Sequence, residues 1–425
     1  MLKEDLKMAE LLSPAGNFEK MKAAILYGAN AVYLAGQRFG MRAAADNFSS
    51  AELEEAVRYA HERDIKIYVT VNIMPRTHEY TELGEYVKFL SSINVDAVII
   101  SDIGVLALVK EVAPSLEIHI STQASAVSGA ACRMWHSLGA KRVVLARELS
   151  FKEICAIKEE IPETLEIEAF IHGSMCIAYS GRCLLSNYYT GRDANRGACT
   201  QPCRWDYDVK TLHFSEEKRP GDIITAEQYR SHCGGGHCGG GGTFIMSSRD
   251  TCMIEHIPDL MESGIDSFKI EGRMKSAYYT AVVTNTYRMA MDRYTSGKAA
   301  YEYDSLWMNE LCSVSHREYA TGFYYNAPFE QVNTVTETGY IREKAYIATA
   351  VSGSDGEGYA LFTQRNKVSE GEKVSLISPG MTGREFTADI ITDEKDNRIE
   401  SAPHPSMLFK LKVPFAVKSG DILRN

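Results

Sequence analysis

Two hydrophobic rhythms alternate over roughly the first 300 residues. Short runs rich in β-branched residues recur: "ELLSPAG" from Glu10, "AVYLAG" from Ala31, "KIYVTVN" from Lys66, "AVIISD" from Ala97, "EIHISTQ" from Glu117, "RVVLAREL" from Arg142, "EIEAFIHG" from Glu166 and "SFKIEGR" from Ser267. Between them, stretches such as "NFEKMKAAILYG", "AELEEAVRYAHER", "FKEICAIKEEI" and "DTCMIEHIPDLMESG" space apolar residues three and four apart, the helical period. Nearly continuous apolar strands alternating with amphipathic helices predict parallel strands covered by helices. Eight such runs, closed by the helical pattern "SAYYTAVVTNTYRMAMDRY", predict a (β/α)8 barrel over residues 1–298. A doubly wound sheet is the competing assembly, but no dinucleotide-type glycine fingerprint follows the first run.

One repeat is irregular. A Cys-rich insertion, residues 174–243, separates the seventh run from the next helical pattern. Loops after barrel strands lie on the catalytic face, which places this insertion over any active site. Its end, "SHCGGGHCGGGG", holds His232, Cys233, His237 and Cys238 at metal-like spacing. Glycine this dense orders ligands poorly, and a mobile loop is expected there. Residues 299–335 read as a helical linker. From 336 to 425 the pattern becomes short strands punctuated by Gly, Asp, Asn and Pro turns, predicting a small all-β barrel domain.

Composition narrows the partners. The net charge of −10 excludes a general nucleic-acid binder, so RNA contact requires a local basic patch, and no DNA partner is expected. The opening "MLKEDLKMAELLSPAG" shows no secretory pattern, and no apolar stretch approaches a membrane span. A cytoplasmic protein with ten reduced cysteines, and no membrane partner, is the expectation.

Four of those cysteines, Cys176, Cys183, Cys199 and Cys203, fall in one short segment with spacing C-x6-C-x15-C-x3-C. Four thiolates can close on one soft centre, zinc or an iron–sulfur cluster. Zinc sites favour tight C-x2-C pairs; the looser gaps here suit the wider ligand positions of a 4Fe–4S cubane. Cys252 is an alternative fourth ligand, at the expected start of a helix. Cys132, Cys155 and Cys312 lie on helical faces and read as packing residues. A different reading makes Cys176 a nucleophile with His172 as its base, but it leaves three further cysteines without a role.

These segments carry a resemblance. "EAFIHGSMCIAYSGRCLLS", "LLSPAGN", "GANAVYLAG", "STQASA", "RVVLAREL", "RGACTQPCRW" and "DSFKIEGRMKS" resemble segments of the collagenase-like peptidase family U32, from about Glu10 to Ser276. The trailing β domain is similar to that family's C-terminal domain. The resemblance implies one of two activities. One is a peptidase with unassigned catalytic residues. The other is an oxygen-independent hydroxylase carrying a 4Fe–4S cluster on four cysteines. The long form with a C-terminal domain looks most like tRNA hydroxylases that make 5-hydroxyuridine at the wobble position. It implies prephenate as co-substrate, tRNA as partner and, in some bacteria, a shorter paralogue alongside. A zinc-stabilised RNA-binding protein without chemistry is the remaining alternative.

Barrel chemistry sits at strand C-termini. Arg147 and Arg273 end the sixth and eighth runs, and arginine suits a dicarboxylate donor. His172 could move protons beside the thiols. Glu168 and Lys269 are catalytic candidates, and with Glu10 they could equally form an ion pair inside the barrel. Asn72 and Gln123 could read a uracil edge or satisfy loop backbone. In the insertion, Tyr188 and Tyr189 could stack an unpaired base while Arg192, Arg196 and Arg204 hold phosphate, with Trp205 beside them.

Overall fold

The computed structural model describes residues 8–42, 46–179, 181–205, 207, 246–297, 300–326, 328, 334–335 and 339–425. The glycine-rich stretch with His232, Cys233, His237 and Cys238 lies outside them.

The eight apolar runs become β1 (Glu10–Pro14), β2 (Ala31–Leu34), β3 (Lys66–Val71), β4 (Ala97–Ile100), β5 (Glu117–Ile120), β6 (Arg142–Val144), β7 (Glu166–Ser174) and β9 (Ser267–Ile270). Each pairs in parallel with its neighbour, and β9 pairs with both β7 and β1, which closes the barrel. The helices that cover it begin where polar residues cap them. Asn17 accepts from the Lys20 amide at the start of α1 (Phe18–Leu26). Ser49–Glu52 and Ser150–Glu153 form capping boxes on α2 (Ser50–His61) and α6 (Phe151–Glu160). Between these lie α3 (Tyr80–Ser92), α4 (Ile103–Val112) and α5 (Gly129–Ser137). Each side-chain cap contributes about 1 kcal/mol by satisfying amides that the helix leaves unpaired. Asp102, polar and at a strand end, serves as the cap of α4 through the Val105 amide.

One element departs from expectation. "DTCMIEHIPDLMESG", expected as one helix, begins as a strand, β8 (Asp250–Cys252), antiparallel to β7. A helix, α8 (Ile257–Glu262), follows only after a 3-10 turn, and α7 (Leu185–Thr190) precedes both in the Cys-rich segment. Cys252 is therefore on a buried strand and not at a helix start. The strand exists because Arg317 neutralises Asp250 at 2.7 Å, both nearly inaccessible, and this partner lies far along the chain. Parallel to β8 runs β10 (Tyr319–Ala320).

After the long α9 (Ala277–Ser296) and α10 (Ser305–Cys312) comes an antiparallel half-barrel. Its strands are β11 (Tyr346–Ala350), β12 (Tyr359–Gln364), β13 (Val368–Ser369), β14 (Lys373–Ile377), β15 (Arg384–Thr387), β16 (Ile391–Thr392), β17 (Ser401–Ala402), β18 (Leu408–Lys412) and β19 (Ile422–Arg424). Seven form one sheet in the order β15-β14-β19-β11-β12-β18-β16, and β13 pairs with β17. The domain docks on α1, α9 and α10. Arg424 of the last strand is buried against Glu310 at 2.7 Å, and Tyr27 donates to the Ile377 carbonyl.

Candidate active site

The C-terminal ends of the barrel strands surround an open pocket. Arg42, Asn72, Gln123, Arg147, Lys269, Glu271 and Arg273 contribute to its wall. Arg273 is 4% exposed. One of its nitrogens donates to the Thr70 hydroxyl at 2.9 Å, whereas Nη2 is buried without a hydrogen-bond partner. Burial pushes its pKa down to about 10, which leaves it charged at neutral pH. Arg147 donates to the Ser174 carbonyl at 2.6 Å and lies over the Phe170 ring, and its Nε has no partner. Buried guanidinium donors facing a pocket, unmatched by carboxylates, are the feature that draws an anion.

Asn72 and Gln123 both reach this wall. Asn72 accepts from the Met41 amide and donates to Ser121, so it fixes the rim. Gln123 lies directly under Gly181 of the Cys-rich segment. Gly181 has φ +76°, and a Cβ there would stand 2.4 Å from the Gln123 carbonyl oxygen. Only glycine permits that approach, which brings the thiol-bearing loop onto the pocket.

Below the pocket lies a closed ion network. Lys269 meets Glu168 at 2.6 Å, and Arg142 bridges Glu10, Glu166 and Glu168 at 2.6, 2.7 and 3.2 Å. Glu168 is fully buried and mated on both oxygens. The pairing of Glu10, Glu168 and Lys269 inside the barrel is present, and Arg142 is its centre. Sequence reasoning missed Arg142, although it lies two positions before Val144, which faces the same interior.

His172 points away from the pocket. It is buried among Tyr279, Tyr287 and Tyr319, with its Nδ1 3.4 Å from the Tyr287 hydroxyl. Burial pushes its pKa down to about 3, so the ring is neutral. Among the described residues no hydrogen bond joins it to Cys176, and the nucleophile–base pair has no geometric support. Cys252 is likewise buried, beside the Tyr287 hydroxyl.

The thiols of Cys176, Cys183, Cys199 and Cys203 share one neighbourhood. Burial pushes the Cys183 and Cys203 thiols up, and Cys176 and Cys199 push both further. The Gln201 amide donates to Cys199 Sγ. Among the described residues, no three His, Cys, Asp or Glu side chains converge as the ligands of one metal ion. The donor chemistry, four thiols coupled through space, fits a soft metal centre. Arg196 anchors the segment by a two-pronged bond to Glu79 and so is not available to phosphate. Arg204 reaches the Tyr340 hydroxyl at 2.7 Å, beside the pocket. Tyr188, Tyr189 and Arg192 do not line the pocket. They lie on the outer face of the segment, where Tyr188 is 82% exposed and Tyr189 packs near Trp205 and Tyr207.

This geometry defines a class: a closed (β/α)8 barrel whose cationic C-terminal mouth lies under a four-thiol segment. The family follows from comparison. Residues 16–334 match the model of Peptidase family U32 and residues 342–424 that of the Peptidase family U32 C-terminal domain, and the chain belongs to this family. It is 37% identical to "tRNA hydroxylation protein P1" of Bacillus subtilis, over 99% of this chain and 95% of the relative. The shorter "tRNA hydroxylation protein P2" of the same organism is 33% identical over 75% of this chain and 98% of its own length. "Collagenase" of Porphyromonas gingivalis is 29% identical, over 87% and 86% of the two chains. Among the described residues no helix is long and apolar enough to cross a membrane.

Proposed function

We propose that the protein is an enzyme that hydroxylates the wobble uridine of tRNA to 5-hydroxyuridine without molecular oxygen. In this reading prephenate is the co-substrate, and Cys176, Cys183, Cys199 and Cys203 hold a 4Fe–4S cluster. The observation that carries the reading is the pocket in which Arg147 and Arg273 keep buried donors without carboxylate partners. A dicarboxylate satisfies both cations at once, and its charge offsets the cost of burying them. A cluster held by the four thiols would supply a redox-active Lewis acid at the pocket's edge. Gln123, which lies under Gly181 in the pocket wall, is the residue assigned to pair with a pyrimidine edge. Asn72 holds the rim in register. Lys269 of the pocket wall is neutralised by the buried Glu168 behind it, so the anion site rests on Arg147 and Arg273. Tyr188, Tyr189 and Trp205 offer exposed rings on which unstacked anticodon bases can rest. The names of the relatives support tRNA as substrate, and the Bacillus pair supports a shorter paralogue as a companion.

The test is nucleoside mass spectrometry of tRNA from a strain lacking this gene. Restoring the gene should add the mass of one oxygen to a wobble uridine, and Arg273→Met or Cys203→Ser should not. Unchanged tRNA together with peptide cleavage by the purified chain would replace this reading with the peptidase one.

A further inference from the structure

Beside the inner pocket lies a second, open chamber, joined to the first through Arg42 and Glu271. Gln201 and Arg204 of the thiol-bearing segment and Ser174 at the end of β7 lie in its wall. Three cations, Arg42, Arg204 and Lys275, face a single carboxylate, Glu271. Among the described residues none of the three is in an ion pair. Arg204 binds neutral groups, Gln201 Oε1 at 2.8 Å and the Tyr340 hydroxyl at 2.7 Å. Lys275 donates to the Ser315 carbonyl at 2.8 Å and stands 4.6 Å from the centre of the Tyr340 ring. Arg42 donates to the carbonyl of Met41. Tyr340 thus places two cations at once, one through its hydroxyl and one through its π face. A further donor waits in the wall: Ser174, 6% exposed, has a buried hydroxyl without a partner.

We propose that this chamber is a phosphate subsite. It seats the phosphodiester of the nucleotide whose base is presented to the inner pocket, and Tyr340 is the residue that positions its cations. Guanidinium, ammonium and hydroxyl donors that outnumber the single carboxylate, Glu271, match a tetrahedral oxyanion that accepts several hydrogen bonds. The chamber is open to solvent past the half-exposed Tyr340, as a site for part of a polymer must be. The two compartments share Arg42 and Glu271 in their walls, and the proposed occupant is a single nucleotide that spans both. The choice of RNA as the source of the phosphate rests on the tRNA reading above.

The test is tRNA binding by the full chain across a salt series. Lys275→Gln should weaken binding about tenfold at physiological salt and lower the slope of log K against log salt by about 0.7, as expected when one phosphate fewer is neutralised on a single strand. Arg204→Gln should do the same. Tyr340→Ala should weaken binding more than Tyr340→Phe, which keeps the ring under Lys275. Folded Lys275→Gln and Arg204→Gln proteins with unchanged affinity and salt slope would overturn the proposal. Inorganic phosphate alone, titrated into the wild type, separates the sources. Binding weaker than about 1 mM supports a diester subsite. Micromolar phosphate binding, with tRNA affinity indifferent to Lys275→Gln, would assign the chamber to a small phosphorylated ligand instead. If Lys275→Gln loses tRNA affinity as expected but the wild type hydroxylates no tRNA, the subsite stands and the hydroxylase reading falls.

Discussion

Arg196 clasps the Glu79 carboxylate with bonds of 2.7 and 2.9 Å and so fastens the four-thiol segment to the loop that follows β3. The same guanidinium also donates to the Met74 carbonyl. The four-thiol segment is held beside the pocket by this clasp on one side and by Gly181 over Gln123 on the other.

Release of the clasp should loosen the cover and leave the barrel intact. The Arg196 hydrogen bonds hold Glu79 down to about 2. A depressed carboxylate contributes fully above its unfolded value of about 4.3, and the contribution fades as pH falls toward 2. Glu79→Gln at neutral pH should speed proteolytic nicking between residues 176 and 205 several-fold, while the thermal midpoint moves by no more than about 2 °C. Limited proteolysis with calorimetry checks both.

Arg273→Met should separate function from stability. It removes a buried cation that has no acidic partner, so stability should rise by about 1–2 kcal/mol in urea unfolding. Hydroxylation should fall at least about a hundredfold, because the anion then loses its fully buried donor. A loss of stability would mean that Arg273 is a packing residue.

Arg142→Met should do the opposite. It strips the counter-charge from Glu10, Glu166 and Glu168 inside the barrel. Breaking one side of a buried ion network costs about 3–5 kcal/mol, which a drop in the urea midpoint would register.

His172 should act through stability and not through catalysis. Its folded pKa is depressed to about 3, so the folded protein keeps it neutral while the unfolded chain protonates it below about 6.5. The resulting loss starts near pH 6.5, reaches on the order of 2 kcal/mol at pH 5 and stops only near pH 3. His172→Phe should remove that part of the acid sensitivity and leave the neutral-pH rate within about twofold. A rate profile that loses a limb between pH 5 and 8 in the variant would show that His172 handles protons.

The barrel was legible because its strands are covered on both sides and therefore read as continuous apolar runs. All eight runs became strands, beginning at the residues that open them. β8 was not legible. Three residues carry no period, and what makes Asp250 tolerable in a buried strand is Arg317, which is distant in sequence. The candidates at the strand ends divided in the same way. Arg147 and Arg273 reached the pocket because position on a parallel barrel fixes where a strand's last residues point. His172 turned outward, away from the barrel interior, because β7 bulges between Phe170 and His172, a register shift that alternation alone does not reveal. Tyr340 escaped notice because its importance lies in Arg204 and Lys275, which the chain brings to it from other segments.

The most direct measurement incubates the anaerobically purified full chain with tRNA from the deletion strain, with and without prephenate, and weighs the wobble uridine. The account predicts one added oxygen in the absence of air, only when prephenate is present, and none when Cys176, Cys183, Cys199 and Cys203 are all serine. Hydroxylation that proceeds without the four thiols, or that requires air, would contradict it.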